Sequence, residues 1–361
     1  MTAALLRSAP ELPNLNPTDL PQLLTSHYAK IVSIRLGGEE QSNNQDEWSL
    51  DKIADTYELI VSVSEDGAIR RPSAFVAASA QLIIARRQKL LNDGEEIPFN
   101  ISRDRLSPEL AAVLLFLSSE QYADAHEAAS QTSNQSENQS PIAFIITNHI
   151  IDLAKGNLSD IVARGEARAV ELSRIAVAPN EDTATLVMLH SLAQGIEFAA
   201  KSILGLGDLQ QSPKFIFEKV KSLSAILSES DTSPRIEYSY PGIYHLSSLL
   251  VAAYEGISES SLTNLPVPQG CDPEFWIKWI SFRANKFPYV WPNHRKALDE
   301  GFHNSGVSAV MVLPTGAGKT TVSSIKIATV LGQGKKVIFL APTHALVDQL
   351  TTDLQEMFPK D

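Results

Sequence analysis

A glycine-rich segment close to residue 320 carries the clearest chemical signal in the chain. It reads Leu-Pro-Thr-Gly-Ala-Gly-Lys-Thr over residues 313–320, between a β-rich run and a helical pattern. Backbone N–H groups of such a turn, together with those of a helix N-terminus, form a positive cradle for phosphate. Lys319 is then expected to bridge the β and γ phosphates of a nucleotide, and the Thr320 hydroxyl to hold Mg²⁺. A glycine turn without function is the alternative.

The predicted contacts with the nucleotide extend along this loop. Gly316 and Gly318 permit the turn and the close approach of backbone to phosphate, while Leu313 replaces the first glycine of the general pattern. Lys319 and Thr320 are the predicted catalytic residues. The predicted cofactor-binding residues of the loop are Pro314, Thr315, Gly316, Ala317, Gly318, Lys319, Thr320 and Thr321.

The loop and a second segment resemble two motifs of the superfamily 2 helicases, the DEAD-, DEAH- and Ski2-like ATPases. Residues 314–320 are similar to their motif I, and Ala-Pro-Thr-His-Ala-Leu-Val-Asp-Gln at 341–349 is similar to their motif Ia. The resemblance implies ATP and Mg²⁺ as cofactors and DNA or RNA as partner. It also implies that Pro342 and Thr343 grip the backbone of a nucleic-acid strand. His344, where many relatives have arginine, either joins this site or is a solvated residue at a helix start.

A third segment, residues 287–298, is similar to the part of these helicases that reads adenine, which usually ends Pro-x-Gln-x-x-Ala. Here the corresponding residues are Pro-Asn-His-Arg-Lys-Ala at 292–297. The resemblance assigns adenine contacts to Pro292 and His294. A glutamine amide offers a donor and an acceptor side by side, which one imidazole does not, so weaker adenine selectivity is expected. A helix start with a purely structural role is the alternative.

Alternating β and α segments are expected to position these residues. Short β-rich runs at 307–313 and 336–340 are each followed by a turn and a helical stretch, at 319–331 and 345–358. This alternation indicates a parallel, doubly wound sheet. Together with the resemblance, it predicts that residues 285–361 are the first half of a RecA-like ATP-binding lobe. Because the sequence contains no Asp-Glu-x-His motif after the loop, no arginine finger and no second lobe, we expect a truncated lobe that is inactive by itself. It would come from a longer enzyme, or from a naturally split or decayed one.

The chain before this lobe is predicted to be mainly α-helical. Residues 1–49 are expected to form an irregular arm with a strand over 29–36, and residues 50–284 a helical accessory domain with a flexible loop at 131–140. Helical patterns within this domain occur at 72–91, 107–128, 141–155, 158–175, 186–204, 213–227 and 244–254.

Charge is divided unevenly along the chain, which carries 30 basic and 42 acidic side chains for a net charge of −12. Residues 286–361 contain 8 basic and 6 acidic side chains, against 22 and 36 before them. A surface that binds nucleic acid over its whole extent is therefore excluded, and any polyanion site is expected in the last fifth of the chain. The acidic helical region is expected either to dock a protein partner or to regulate the protein itself.

Composition points to a cytoplasmic protein without a membrane span. Cys271 is the only cysteine, and no apolar run approaches the ~18–20 residues that a span requires. The leading hypothesis is an ATP-dependent nucleic-acid helicase or translocase, for which bacterial antiphage defence or DNA repair would be suitable settings. The alternatives are a non-enzymatic, partner-binding helical scaffold with a residual ATPase lobe, and a P-loop phosphotransfer enzyme of another family, which residues 341–349 disfavour.

Overall fold

The structure is a computed structural model that describes residues 19–37, 48–91, 100–132, 140–172, 181–207, 211–230, 233–314 and 317–358. The chain divides into two compact units. The N-terminal unit comprises residues up to Ser258 except for 203–206, and the C-terminal unit comprises 203–206 and 259–361.

Helices make up most of the N-terminal unit, as the sequence predicts. In chain order they are α1 (Leu20–Arg35), α2 (Leu50–Val63), α3 (Gly67–Leu91), α4 (Pro108–Ser118), α5 (Tyr122–Gln131), α6 (Pro141–Lys155), α7 (Leu158–Leu172), α8 (Glu181–Leu204), α9 (Pro213–Leu223) and α10 (Pro241–Glu259). An antiparallel hairpin of β1 (Ala225–Ser230) and β2 (Ser233–Tyr238) lies between α9 and α10.

The core of this unit is centred on α4, in which every residue after Pro108 is buried. A helix that is apolar all round must be covered on all sides, and α4 contacts α3, α5 and α6. Its start follows from local chemistry: the Ser107 hydroxyl accepts a hydrogen bond from the Leu110 N–H, and Pro108 occupies the first turn, where its missing N–H costs nothing. Ser140 and Pro141 start α6 in the same way.

Three predictions for the N-terminal unit are wrong. The helix expected over 107–128 is two helices, because α4 ends at Ser118, α5 begins at Tyr122, and Glu120 between them has φ +59°. The strand expected over 29–36 is instead the end of α1, whose buried residues Leu20, His27 and Ile31 are spaced at helical intervals of seven and four. The helix expected to continue to residue 227 ends at Leu223, because the next residues pair with β2. Most of the expected irregular arm (1–18 and 38–47) and of the expected flexible loop (133–139) lies outside the described residues.

The C-terminal unit contains a 3₁₀ turn at Leu262–Asn264 and helices α11 (Pro273–Ala284), α12 (Pro292–Asp299), α13 (Lys319–Gly332) and α14 (His344–Met357). Both helices predicted after the β-rich runs are present as α13 and α14. The core of the unit forms where α11 and α12 pack on α13. Buried residues on this surface include Trp276, Ile280, Leu298, Val322 and Ile325.

The parallel sheet predicted for this unit is not present among the described residues. Residues 307–313 and 336–340 have no strand assigned. Val310, Val312, Ile338 and Leu340 are 86–92% exposed. A strand is defined by the ladder it shares with a neighbour, so β-propensity in a run of this length does not make a sheet without a paired segment. The prediction of a doubly wound sheet is therefore wrong for the part of the chain that the structure describes.

Within the described ranges, none of the helices combines the length and the apolar character that crossing a bilayer requires.

Candidate phosphate-binding site

The glycine-rich loop leads directly into α13. Gly318 is the residue before the helix, with φ +73° and ψ 35°, and no side chain caps the first turn. Its carbonyl accepts from the N–H of Thr321, and no acceptor among the described residues takes the N–H groups of Lys319 and Thr320, which belong to the first turn of the helix. The loop is closed further back by a hydrogen bond from the Ala317 N–H to the Pro314 carbonyl, at 3.3 Å. Backbone donors and the helix dipole therefore make this end of α13 favourable for an anion.

Lys319 and Thr320 are exposed at this helix start. Among the residues that the structure describes, none pairs with the Lys319 ammonium group. Both side chains line a small cleft of about 120 Å³. The other lining residues are Ser323, Ser324, Ile327, Phe339, Leu350, Asp353, Leu354 and Met357. Asp353 places a carboxylate in this cleft, which sequence reasoning had missed because no local pattern connects α14 with the loop.

Two donors from the start of α12 meet the carbonyl of Ala317. The Asn293 Nδ2 lies 3.2 Å from the Ala317 oxygen, and the His294 Nε2 lies 2.9 Å from it. Pro292 occupies the first turn of α12, as the helix-start interpretation predicts. The structure therefore brings the predicted adenine-reading segment against the predicted phosphate loop. Asn293 was not among the predicted site residues, and its position after a helix-initiating proline carries no sequence signal for this contact.

The imidazole of His294 has a defined protonation pattern. Because its Nε2 faces a carbonyl oxygen, that nitrogen carries the proton and donates. The side chain is buried, and no described residue provides a partner for its Nδ1. Burial lowers the pKa of His294, against the raising effect of the hydrogen bond to Ala317, so the ring is neutral at physiological pH. It stacks on Trp291 with an interplanar angle of 2°.

Gly318 has two reasons to be glycine. Its positive φ is strained for residues with a side chain. In addition, a Cβ at this position would lie 2.5 Å from the His294 Nε2 and 2.6 Å from its Cε1. The imidazole therefore fills the space that a side chain at position 318 would need.

For the other predicted residues of the phosphate loop, the structure gives only part of the information needed to describe a site. Thr315 and Gly316 lie outside the described residues. Pro314 is exposed, and Thr321 is half-exposed on the first turn of α13. Their contact with a nucleotide remains a prediction.

The three residues predicted to grip nucleic acid lie at the start of α14. Pro342, Thr343 and His344 are exposed and are not among the described residues that line the cleft at Lys319. The Thr343 hydroxyl oxygen caps α14 by accepting from the Leu346 N–H at 3.3 Å. Its hydroxyl proton is left for an acceptor such as a phosphate oxygen.

The side chains near the phosphate loop bear on whether Mg²⁺ could be held there. Among the described residues, no group of three or more His, Cys, Asp or Glu side chains is placed to hold a metal ion. Mg²⁺ commonly takes much of its coordination from water and substrate phosphates. The exposed Thr320 hydroxyl at the start of α13 is compatible with that arrangement.

Comparison with known proteins supports a helicase-type domain in the C-terminal part of the chain. Residues 290–361 match the family model described as type III restriction enzyme, res subunit, which is a helicase-family domain. The match includes α12, the phosphate loop, α13 and α14, and covers about a fifth of the chain. No curated protein is significantly similar to the chain.

Proposed function

We propose that the chain binds ATP and Mg²⁺ at residues 314–321 and forms part of a superfamily 2 helicase or translocase that acts on DNA or RNA. The observation that supports this most strongly is a coincidence of two independent features. The helicase-family match spans 290–361, and within it the exposed Lys319 and Thr320 stand at an uncapped helix start. Either feature alone would be less specific.

The roles of the loop residues follow from their chemistry. The N–H groups at the start of α13 donate to phosphate oxygens, and the Lys319 ammonium pairs with the β and γ phosphates. The Thr320 hydroxyl holds Mg²⁺, which when bound neutralises charge on the phosphates. The resemblance to superfamily 2 helicases assigns Pro292 and His294 to the side of the nucleotide that carries the base. Hydrolysis also needs a carboxylate that fixes the metal and orients water, and positive charge on the transferred group. Asp353 places a carboxylate in the cleft but does not belong to an Asp-Glu-x-His motif. We therefore expect residues 1–361 by themselves to bind ATP without hydrolysing it.

The proposed nucleic-acid contact is at the N-terminus of α14. A strand phosphate there would accept from the Thr343 hydroxyl and from backbone N–H groups of the first turn, beside Pro342 and His344. The charge distribution supports this location, since residues 286–361 are net positive and the rest of the chain is net negative. Roles in antiphage defence or DNA repair, and a cytoplasmic location, are part of the same proposal.

A second candidate function is a partner-binding scaffold in which the helical unit is the working part. The excess of acidic side chains before residue 286 favours it. In that case the chain would bind a protein partner and show no Lys319-dependent affinity for ATP.

Isothermal titration of the full chain with ATP and Mg²⁺ tests the proposal. Lys319→Ala removes the charge that faces the phosphates and should weaken binding by at least about 10-fold, the value of one charge-assisted hydrogen bond. Lys278→Ala is the matched control, because Lys278 is also an exposed helical lysine of the C-terminal unit, paired there with Glu274. It should bind within about twofold of the parent. Equal affinity of the parent and Lys319→Ala would exclude a nucleotide site at this loop.

A further inference from the structure

We propose that Asn293 and His294 are positioning residues that aim the backbone N–H of Gly318 at a bound phosphate. This inference rests on the proposed phosphate site and deepens it. According to this inference, the start of α12 fixes the shape of the phosphate loop. Its effect on affinity therefore does not depend on the base of the nucleotide. We name the pair of donors and the Ala317 carbonyl that they share the carbonyl clamp.

The clamp consists of two hydrogen bonds to one oxygen. A carbonyl oxygen has two lone pairs, and here the Asn293 amide and the His294 imidazole occupy both, at 3.2 and 2.9 Å. The two donors are neighbours on one rigid helix turn. The Ala317 oxygen is therefore fixed in direction as well as in position.

Both donors are themselves held in orientation. The Asn293 Oδ1 accepts from the His294 backbone N–H at 3.0 Å, which leaves the Nδ2 end of the amide towards Ala317. The His294 ring is 2% exposed and lies flat on Trp291. Neither side chain can turn away without losing these contacts.

Fixing this carbonyl also fixes the next N–H group. The peptide between Ala317 and Gly318 is planar and trans, so its C=O and N–H point in opposite directions. With the oxygen drawn towards α12, the Gly318 N–H points away from α12. Within the described residues no backbone acceptor takes this N–H. It is thus a preset donor at the start of α13, next to the free N–H groups of Lys319 and Thr320.

The rival explanation for His294 is direct contact with adenine, and the two explanations predict different ligand dependence. If His294 contacts the base, its substitution lowers the affinity for ATP and leaves the affinity for a ligand without a base unchanged. The clamp acts through the phosphate cradle, so it affects ATP and inorganic tripolyphosphate by the same factor. Comparing these two ligands therefore separates the explanations.

The experiment measures the affinity of the full chain for Mg²⁺–ATP and for Mg²⁺–tripolyphosphate. Asn293→Leu and His294→Phe each keep the approximate shape of the side chain and remove its donor. Each variant should lower the affinity for both ligands by the same factor, roughly 3- to 10-fold for the loss of one hydrogen bond. His294→Gln returns an amide donor and should recover most of the loss. Asn285→Leu is the control, since the Asn285 amide donates to the Ser281 carbonyl on α11.

The outcomes distinguish this inference from the function on which it rests. Weaker ATP binding with unchanged tripolyphosphate binding would overturn the clamp and support contact with the base. Binding that depends on Lys319 but on neither Asn293 nor His294 would also overturn the clamp and leave the proposed function standing. If the parent binds neither ligand, or if Lys319→Ala binds both as the parent does, both proposals fail. Unfolding midpoints of each variant within a few degrees of the parent confirm that affinity, and not folding, was changed.

Discussion

At the scale of single residues, the site depends on one glycine and its neighbours. Gly318 combines a left-handed backbone with a contact to the buried His294 ring. The backbone conformation and the contact can be studied separately, because other glycines of the same unit have a left-handed backbone without such a contact. Gly334 has φ +72° and no atom within 4 Å of an added Cβ.

Gly318→Ala should therefore be more harmful than Gly334→Ala. Both substitutions place a side chain in the left-handed region, at a cost of about 1 kcal/mol or more. Only Gly318→Ala also forces the imidazole out of contact and breaks the clamp. We expect it to lower ATP affinity at least about 10-fold, whereas Gly334→Ala should leave affinity unchanged while lowering the urea midpoint slightly.

The double variant Gly318→Ala/His294→Ala provides the control for this contact. Removing the imidazole relieves the clash, so the two changes together should weaken binding less than the product of the single effects. Strictly additive losses would mean that the ring and the residue at position 318 do not interact.

At the scale of elements, a buried charge network joins α6, α7 and α8 in the N-terminal unit. Glu197 on α8 accepts two hydrogen bonds from Arg168 on α7, at 2.8 and 2.7 Å. Its Oε1 also lies 3.2 Å from the Nε2 of His149 on α6. Arg164 lies 3.4 Å from the other ring nitrogen of His149. Removing Arg168 or Glu197 would leave the other charge buried without its partner, so this pair constrains how α7 and α8 pack.

This network should make the N-terminal unit less stable in acid. Burial lowers the pKa of His149, against the raising effect of its hydrogen bond to Glu197. Burial would raise the pKa of Glu197, but the bonds from Arg168 and His149 lower it overall. Both groups thus bind fewer protons folded than unfolded, and both contribute stability that is lost as pH falls. The loss from His149 begins near its ordinary pKa of 6.5, and that from Glu197 near 4.5.

Urea unfolding of the parent and of His149→Gln between pH 7.5 and 5 measures this effect. The free energy of unfolding should fall with acidification in both proteins, because other groups also titrate. It should fall less steeply in His149→Gln, which has no imidazole to protonate. Identical slopes would show that His149 is not the titrating group.

At the scale of the whole molecule, charge is distributed unevenly along the chain, and the proposed nucleic-acid contact lies in a net-positive C-terminal part. Residues 286–361 have a net charge of +2, and residues 1–285 have a net charge of −14. Association with a strand should therefore be weak overall and localised. Position 344 is suited to testing this, since it is exposed at the start of α14.

His344→Arg should strengthen binding to single-stranded DNA or RNA by adding one phosphate contact. Counterion release makes the slope of log affinity against log salt steeper by about 0.7 for each phosphate contact on a single strand. Fluorescence anisotropy over a salt series measures this slope. Gln349→Arg is the matched control, because it adds the same charge at an exposed position further along α14. An equal change in both variants would mean that charge alone, and not the helix start, determines binding.

Helix starts and helical segments could be predicted from the sequence, because they depend on residues that are neighbours in the chain. Ser107 and Pro108 start a helix because a hydroxyl cap and a fixed φ act locally. The glycine-rich loop leads into α13 through Gly318, whose left-handed backbone is likewise a local property of glycine. Mainly helical character before the loop follows from the spacing of apolar residues. Each of these needs only a few consecutive residues, so the sequence contains the whole interaction.

Contacts between residues that are distant in the chain are visible only in the folded protein. The β-rich runs at 307–313 and 336–340 are without a ladder because a strand needs a paired segment, which propensity does not supply. Asn293 and His294 meet Ala317 across more than twenty residues of chain, and Glu197 meets Arg168 from another helix. Such contacts form where packed helices bring side chains together, and their energies depend on burial and direction. Neither quantity is encoded in the spacing of residues along the sequence.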